Sequence, residues 1–231
     1  MKILAIETST EQGSVALCIG QEHVQSQLLG ARTHSTALLP TIDALLKETG
    51  LTLDDLDFIA FGAGPGAFTG VRLACGVAQG LALGAQKPLV PVNCLMALAN
   101  MAPLDANYIL ATRDARMGEI YSQCFSRSQN TLTSLGDPVC MPKGEALQLN
   151  ENRWIGLGSG FTAWPSLAQD LGLNPDQVLA DLNPEAIDIA RLAQLTFEQG
   201  QSVSALDAAP LYVRNKVAFT TAERLAQGGR G

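Results

Sequence analysis

Apolar and polar positions in the first hundred residues follow the strand period and then the helix period. Three short apolar runs joined by turns predict β-strands at residues 2–6, 13–20 and 23–30. Residues 33–50 then place apolar side chains three and four positions apart, which predicts a helix that stops at Gly50. This half of the chain therefore starts with three strands and a helix.

The same pattern continues with a buried strand, a second helix and a fifth strand, at residues 57–62, 69–86 and 88–92. The predicted order is β-β-β-α-β-α-β. In the second half, four further runs predict strands and one segment predicts a helix; these are residues 107–112, 119–125, 131–135, 154–160 and 184–200.

The beginning of the chain is echoed in its second half. Ile3-Leu4-Ala5 returns as Ile109-Leu110-Ala111, and the stretch from residue 3 to 30 has the same length as its echo from 109 to 136. Chance similarity of two apolar strands is the alternative, but a whole three-strand block is repeated, so we interpret the pattern as duplication. Two such lobes are the layout of the actin-like ATPase superfamily, an α/β fold, here with a reduced second lobe. We expect domains at 1–104 and 105–231, with the last helix packing back on the first lobe.

The segment GAGPGAFTGVR at residues 62–72 matches G-x-G-x-x-A, one form of the dinucleotide fingerprint. That site needs a carboxylate about 20 residues further on, and no Asp or Glu occurs from Phe58 to Leu104. Pro65 also removes a backbone N–H that would face a pyrophosphate. The segment is therefore not expected to hold a phosphate.

The helix that follows carries Gly76, Gly80 and Gly84, spaced four residues apart. Each interior glycine costs up to ~1 kcal/mol relative to alanine, and a stripe without side chains lets another backbone approach closely. That backbone belongs either to the protein's own sheet or to another subunit. The helix is apolar on more than one side, which favours partial cover by a partner.

Composition and charge narrow the function classes. The 231 residues are 47% apolar and 16% charged, with a net charge of −7, so a nucleic acid is not expected to be bound mainly by this chain. The five scattered cysteines include no C-x-x-C, which disfavours a disulfide framework or zinc site. The uncharged run 73–86 is short for a membrane span. We expect a soluble, cytoplasmic protein that is not attached to a membrane.

Several polar residues are candidates for a cleft between the lobes. The turns after the first strand of each lobe carry Glu7, Ser9, Asp114 and Arg116, and a glycine turn in the second lobe carries Gly158. Nucleotide binding and a structural network of Asp114 and Arg116 with Glu119 both remain open.

The other polar candidates are fewer. Only two histidines occur, His23 and His34; neither has metal-ligand spacing, and His34 is expected to cap a helix. Arg214 and Lys216 form a small basic cluster, which fits either an RNA or acidic-partner contact or a solvated terminal helix.

Four segments together, ILAIETST, AGPGAFTGVR, DARMGEIY and PLYVRNK, resemble the TsaB (YeaZ) family of tRNA threonylcarbamoyladenosine biosynthesis proteins. The resemblance implies an actin-like two-lobed fold and a role in making N6-threonylcarbamoyladenosine beside the tRNA anticodon. It implies TsaD, the catalytic transferase, as partner, with the ATPase TsaE in the complex and a homodimer when alone; tRNA contact is expected to be indirect or weak. The implied interface is the first two helices, with these residues: Leu38, Leu39, Ile42, Leu45, Leu46, Val71, Leu73, Gly76, Val77, Gly80 and Gly84.

One departure from the paralogous TsaD decides the expected role. TsaD carries an H-x-x-x-H metal motif, and Cys94 and Leu98 occupy those two positions here. Because a leucine cannot bind a metal, we expect no metal, no catalytic residue and no cofactor, with ATP only in the complex. The alternative is an independent actin-like nucleotide-binding protein or small-molecule kinase. A peptidase is disfavoured, since its base would have to be one of the two histidines.

Overall fold

A computed structural model describes residues 1–28, 34–129, 131–145, 147, 149 and 153–214. The first half contains five strands and three helices: β1 (Lys2–Glu7), β2 (Gly13–Ile19), β3 (Glu22–Leu28), α1 (His34–Thr49), β4 (Phe58–Gly64), α2 (Phe68–Ala85), β5 (Leu89–Asn93) and α3 (Cys94–Asn100). The predicted strands and the two predicted helices are all present, with ends that differ by a few residues. The helix α3 had not been predicted.

The second half contains six strands and three helices: β6 (Tyr108–Arg116), β7 (Glu119–Ser128), β8 (Thr131–Ser134), β9 (Val139–Pro142), β10 (Trp154–Leu157), α4 (Gly160–Ala163), α5 (Leu167–Asp170), β11 (Val178–Leu179) and α6 (Ala186–Glu198). Single turns of 3-10 helix lie at Leu53–Asp55 and Pro175–Gln177. The short elements β9, β11, α4 and α5 were not predicted.

The two sheets share one topology, which confirms the duplicated actin-like fold. The strand order is β3-β2-β1-β4-β5 in the first sheet, and β8-β7-β6-β10-β11 is the same order in the second, with β9 added on β7. In each sheet the first hairpin is antiparallel and the last two strands are parallel. Ile3 stands opposite Cys18 and Phe58, as Ile109 stands opposite Phe125 and Ile155.

Side chains that alternate along the first sheet give it two apolar faces. Leu4 and Ile6 point to the face covered by α1 and α2, whereas Ile3 and Ala5 point to the face covered by α6. On that second face the ring of Phe58 stacks on the ring of Phe197, with centroids 4.4 Å apart. The last predicted helix therefore lies on the first sheet.

The helix after the last strand of each lobe crosses to the opposite lobe. α3 packs against β6, β7 and β8 of the second sheet, and α6 packs against β1, β2, β4 and β5 of the first. The remaining face of the second sheet is covered by the short helices α4 and α5 and the turn between them, where Phe161, Trp164 and Leu167 are buried. A boundary at residue 104 thus separates the sheets but not the helices that cover them.

Residues 201–214, which we call the strap, return along the first lobe. Val203 exchanges two backbone hydrogen bonds with Leu89 of the edge strand β5, of 2.8 and 2.9 Å. Leu211 then donates its N–H to the carbonyl of Ala63 at 2.7 Å. The strap brings the end of the described chain to the space between the lobes. Lys216, the other half of the predicted basic cluster, lies outside the described residues.

Candidate functional site

The glycine-rich segment 62–72 packs against the turn after β1. A Cβ atom at Gly62 would come closer than 3.0 Å to the Glu7 carboxylate, and one at Gly70 would overlap the backbone carbonyl of Thr8. A Cβ atom at Gly66 would also come closer than 3.0 Å to the backbone carbonyl oxygen of Ser9. The N–H of Ala67 donates to that same oxygen at 2.8 Å. These glycines permit a close approach of backbone to backbone. Their neighbours are parts of this protein.

A cleft of about 600 Å³ lies between the lobes. Its walls include the turn after β1 (residues 9–12), the segment leading into α2 (65–68), the end of β6 with the turn after it (113–117), the region of α4 (159–163) and the end of the strap (211–214). The two turns are equivalent positions of the two lobes, so the duplication itself generates the cleft.

Three of the five predicted cleft residues line this space and two do not. Ser9, Asp114 and Arg116 are in the walls. Glu7 is fully buried below them and accepts the N–H of Ser9 at 2.5 Å. Gly158 has a φ of +96° and packs against the backbone of β6, because a Cβ atom there would overlap the carbonyl of Thr112. Its role is therefore in the packing of the second lobe.

The predicted salt-bridge network is arranged differently from the expectation. Arg116 pairs with Asp114 at 3.2 Å and reaches across the cleft to Glu11 at 2.6 Å. Glu119 pairs with Arg214 of the strap instead. Arg214 is thus largely buried, with its side chain 12% exposed, and residues 211–214 are not helical, so a solvated helix is wrong for this residue.

Arg113 was missed by the sequence reasoning although it joins the two lobes. Its side chain is buried, and Nη1 donates to Ser9 Oγ at 2.7 Å and to the carbonyl of Pro65 at 3.0 Å. The available signal was a charged residue close behind the apolar run Ile109–Ala111, since buried arginines require partners.

Four donors that line the cleft are already bonded within the protein. The amides of Ser9 and Ala67 are bonded to Glu7 and to the Ser9 carbonyl. Arg113 and Arg116 are bonded to Ser9 and Glu11. A phosphate that used these four donors would have to displace bonds within the protein, and those bonds are favourable where they are buried.

Cys94 and Leu98, which stand at the positions of the TsaD metal ligands, are both fully buried. The thiol of Cys94 donates to Glu7 Oε2 at 3.3 Å and accepts the N–H of Gly64 at 3.2 Å. Burial, and then the neighbouring Glu7 carboxylate, raise the pKa of Cys94 to about 12. The thiol is therefore protonated near neutral pH in the metal-free chain, and its contacts are with Glu7 and Gly64. Leu98 has no donor atom. These residues do not fit a metal site.

His34 corrects the expectation of a helix cap. It is the first residue of α1, and its imidazole Nε2 accepts the N–H of Gly13 at 3.2 Å from a buried position. Its role is thus to tie α1 to the start of β2. His23 lies exposed on β3, an edge strand of the first sheet.

The two rows of small residues on α2 face opposite ways. Ala74, Ala78 and Ala82 are buried against the first sheet. Cβ atoms at Gly76, Gly80 and Gly84 would have no neighbour within 4 Å. Of the two alternatives for the glycine stripe, packing on the protein's own sheet is wrong for the described residues.

The predicted interface residues divide into exposed and buried ones. Leu38, Ile42, Leu45 and Val71 face the core of the first lobe, so they cannot themselves contact a partner. Leu46, Leu73 and Val77 are half-buried. Leu39 is 52% exposed, and Leu83, which was not among the predicted residues, is 65% exposed. The exposed side of α2, which we call the glycine face, therefore consists of Gly76, Gly80, Leu83 and Gly84, and Leu39 is the exposed leucine of the predicted interface on α1.

By length and composition, α2 is apolar enough to cross a membrane, with a mean hydropathy of 1.2 over residues 68–85. Helices that pack on a sheet pass the same test, and one side of α2 packs on β4. Its apolar composition is therefore accounted for partly by the core of the first lobe.

All five cysteines are free thiols, as their spacing predicted.

Comparison with known proteins identifies the family. The family model for TsaD, tRNA N6-adenosine threonylcarbamoyltransferase, matches residues 22–163. The chain is 39% identical to the tRNA threonylcarbamoyladenosine biosynthesis protein TsaB of Escherichia coli K12, over 95% of this chain and 97% of the relative. The Haemophilus influenzae TsaB is 36% identical, over 95% and 96%.

A solved structure agrees with these relatives. YeaZ from Pseudomonas aeruginosa superposes with a TM-score of 0.81 at 37% identity, covering 91% of this chain and 99% of that one. Family model, relatives and fold point the same way, and the chain belongs to the TsaB (YeaZ) family of tRNA threonylcarbamoyladenosine biosynthesis proteins.

Proposed function

We propose that this chain is a non-catalytic subunit that binds and activates a TsaD-type transferase in the cytoplasm. The transferase moves threonylcarbamoyl from its adenylate to N6 of the adenosine beside the tRNA anticodon, and a TsaE-type ATPase joins the complex. The observation that carries the proposal is the glycine face, a row of helical glycines without neighbours beside exposed leucines.

The physical reason is that such a face is costly unless it is covered. Three glycines weaken the helix by up to ~1 kcal/mol each, and exposed leucines leave apolar area in water. A partner helix laid on the stripe approaches the backbone of α2 closely and removes the leucines from water. The same face on a second copy of this chain gives a homodimer when the partner is absent.

The site residues support a role without chemistry of its own. At the two positions of the TsaD metal motif stand a protonated, buried thiol and a leucine. The net charge of −7 also disfavours a main role in holding tRNA. We therefore assign tRNA and the reacting adenylate to the partner.

The deciding experiment is a reconstitution from which this chain is omitted. TsaD, TsaE, unmodified tRNA and the enzyme that forms the adenylate are mixed with and without it, and modified adenosine is quantified by mass spectrometry. We expect product only when this chain is present, and none from this chain alone. Equal product in its absence would remove the proposed role.

Gly80→Trp tests the face itself. A Trp side chain there stands in open space in the isolated chain, so the melting temperature should stay within a few degrees while the affinity for TsaD falls about tenfold or more, ~1.4 kcal/mol. Leu195→Trp is the matched control, since Leu195 is an exposed position on α6, on the opposite side of the first sheet. Unchanged affinity in Gly80→Trp would place the interface elsewhere.

The alternative, an independent nucleotide-binding protein or small-molecule kinase, has one observation in its favour, the 600 Å³ cleft between equivalent turns. Calorimetric titration of the isolated chain with Mg-ATP distinguishes the two. No heat is expected, because the Ser9 amide and the side chains of Arg113 and Arg116, which line the cleft, are already bonded within the protein.

A further inference from the structure

The end of the strap crosses from the first lobe to the second beside the mouth of the cleft. Its last attachment to the first lobe is Tyr212, whose hydroxyl accepts Arg72 Nε at 2.8 Å. The next residue, Val213, packs with the core of the second lobe. The strap thus changes lobes within two residues.

Arg214 anchors the strap on the second lobe. Its Nη2 donates to the carbonyls of Ala115 and Arg116 at 2.9 and 3.3 Å, and it forms an ion pair with Glu119. The side chain of Arg214 is only 12% exposed. All three contacts are made by Nη2. Contacts in which the donor is charged are stronger than those between neutral groups.

Arg113 and Arg116 also bond across the cleft, but their side chains lie at different depths from that of Arg214. Arg113 bonds to Ser9 from a buried position at the floor of the cleft. Arg116 reaches Glu11 in the open, with its side chain 70% exposed; such a surface pair contributes little. At the mouth of the cleft, Arg214 is therefore the strongest tie among these three.

We propose that residues 211–214 form a latch over the interlobe cleft, with the bonds of Arg214 to Ala115, Arg116 and Glu119, at the facing ends of β6 and β7, as its catch. Releasing Arg214 breaks the polar attachment of the strap to the second lobe, so that residues 211–214, one wall of the cleft, move away and open the space to solvent. The strap is also bonded to α2, since the side chain of Gln79 donates to the carbonyls of Ala205 and Ala208 at 2.9 and 3.0 Å. The latch requires no partner and is independent of the proposed function.

Two probes native to the chain report release. The half-buried thiol of Cys140 donates to Glu119 Oε2 at 3.4 Å, beside the catch. Cys124 is half-buried on the same sheet and, among the described residues, is bonded to neither Arg214 nor Glu119. The amide of Leu211 is bonded to Ala63 and that of Val203, at the other end of the strap, to Leu89. Cys124 is therefore the reference for Cys140, and the Val203 amide is the reference for the Leu211 amide.

The test compares Arg214→Gln with Arg191→Gln, an arginine of an exposed ion pair on α6. In Arg214→Gln we expect Cys140 to be alkylated, and the Leu211 amide to exchange with deuterium, about tenfold faster or more, as in local opening. Cys124 and the Val203 amide should stay unchanged. Loss of the arginine charge raises the pKa of Cys140 and by itself slows alkylation, so a faster rate reports access.

Glu119→Gln is a milder second variant that leaves the carbonyl bonds of Arg214 in place. Loss of the Glu119 carboxylate lowers the pKa of Cys140 and by itself speeds alkylation, so the readout in this variant is the Leu211 amide. A smaller increase in exchange at Leu211, with the Val203 amide unchanged, supports the latch. Rates within twofold of the unaltered protein for Arg214→Gln would overturn it. If Arg214→Gln unfolds, Glu119→Gln decides: an equal rise at Leu211 and Val203, or no rise at Leu211, also overturns the latch.

Discussion

Two neighbouring sets of glycines in this chain serve opposite purposes. Gly62, Gly66 and Gly70 stand where a Cβ atom would strike the turn after β1, while Gly76, Gly80 and Gly84 stand where a Cβ atom would meet nothing within 4 Å. The first set lets two parts of one lobe touch. The second set leaves a helix bare on its outer side. The difference shows that the role of a glycine depends on which atoms a side chain at that position would meet.

Gly70→Ala should break the first set most severely. The new methyl group would overlap the carbonyl of Thr8, which is backbone and cannot rotate away, and Thr8 Oγ1 also donates to the Gly70 carbonyl at 2.7 Å. We expect a loss of about 3 kcal/mol, at the upper end of overpacking costs, measured by urea unfolding. Gly76→Ala on the same helix is the control, and equal stability of the two variants would refute the account of this loop.

Gly62→Ala should have a smaller effect of the same sign. Here the obstacle is the end of the Glu7 side chain, which can rotate, although it then leaves the Ser9 amide. A loss of about 1–3 kcal/mol is expected. In a Glu7→Ala background the same substitution should cost less. A double-mutant cycle without coupling would show that Glu7 is not the obstacle.

Gly76→Ala should show the smallest change and the opposite sign in the isolated chain. With open space around the new methyl group, helix propensity dominates, and the free energy of unfolding should rise by about 0.5–1 kcal/mol. Thermal unfolding measured by circular dichroism checks this. A destabilised variant would mean that the stripe is covered even without a partner.

The sequence predicted the first lobe well because its elements have clear periods. Helix α3 was missed because the apolar run from Leu89 to Ala99 passes from strand to helix without a break in composition. Only Asn93 marked the change: its Oδ1 accepts the amides of Leu95 and Met96 at 2.8 and 3.3 Å. The elements β11, α4 and α5 have two to four residues, too few for any period to show.

The candidate site was predictable in position and less so in detail. The echo of β1–β2 in β6–β7 placed Ser9, Asp114 and Arg116 at one cleft. Helical spacing showed that Leu38, Ile42 and Leu45 share a face of α1, but spacing alone does not reveal whether that face meets the protein's own core or a partner. The contacts of Arg214 depend on a strap without period, so they required the structure.

The exchange of α3 and α6 between the lobes has a consequence for how the chain folds during synthesis. The face of the first sheet formed by Ile3, Ala5 and Phe58 is covered by α6, whose Phe197 is made 139 residues after Phe58. The N-terminal half therefore leaves the ribosome with one apolar side open, and contacts so distant along the chain form slowly. The nascent chain is expected to depend on chaperone protection until its last helix emerges.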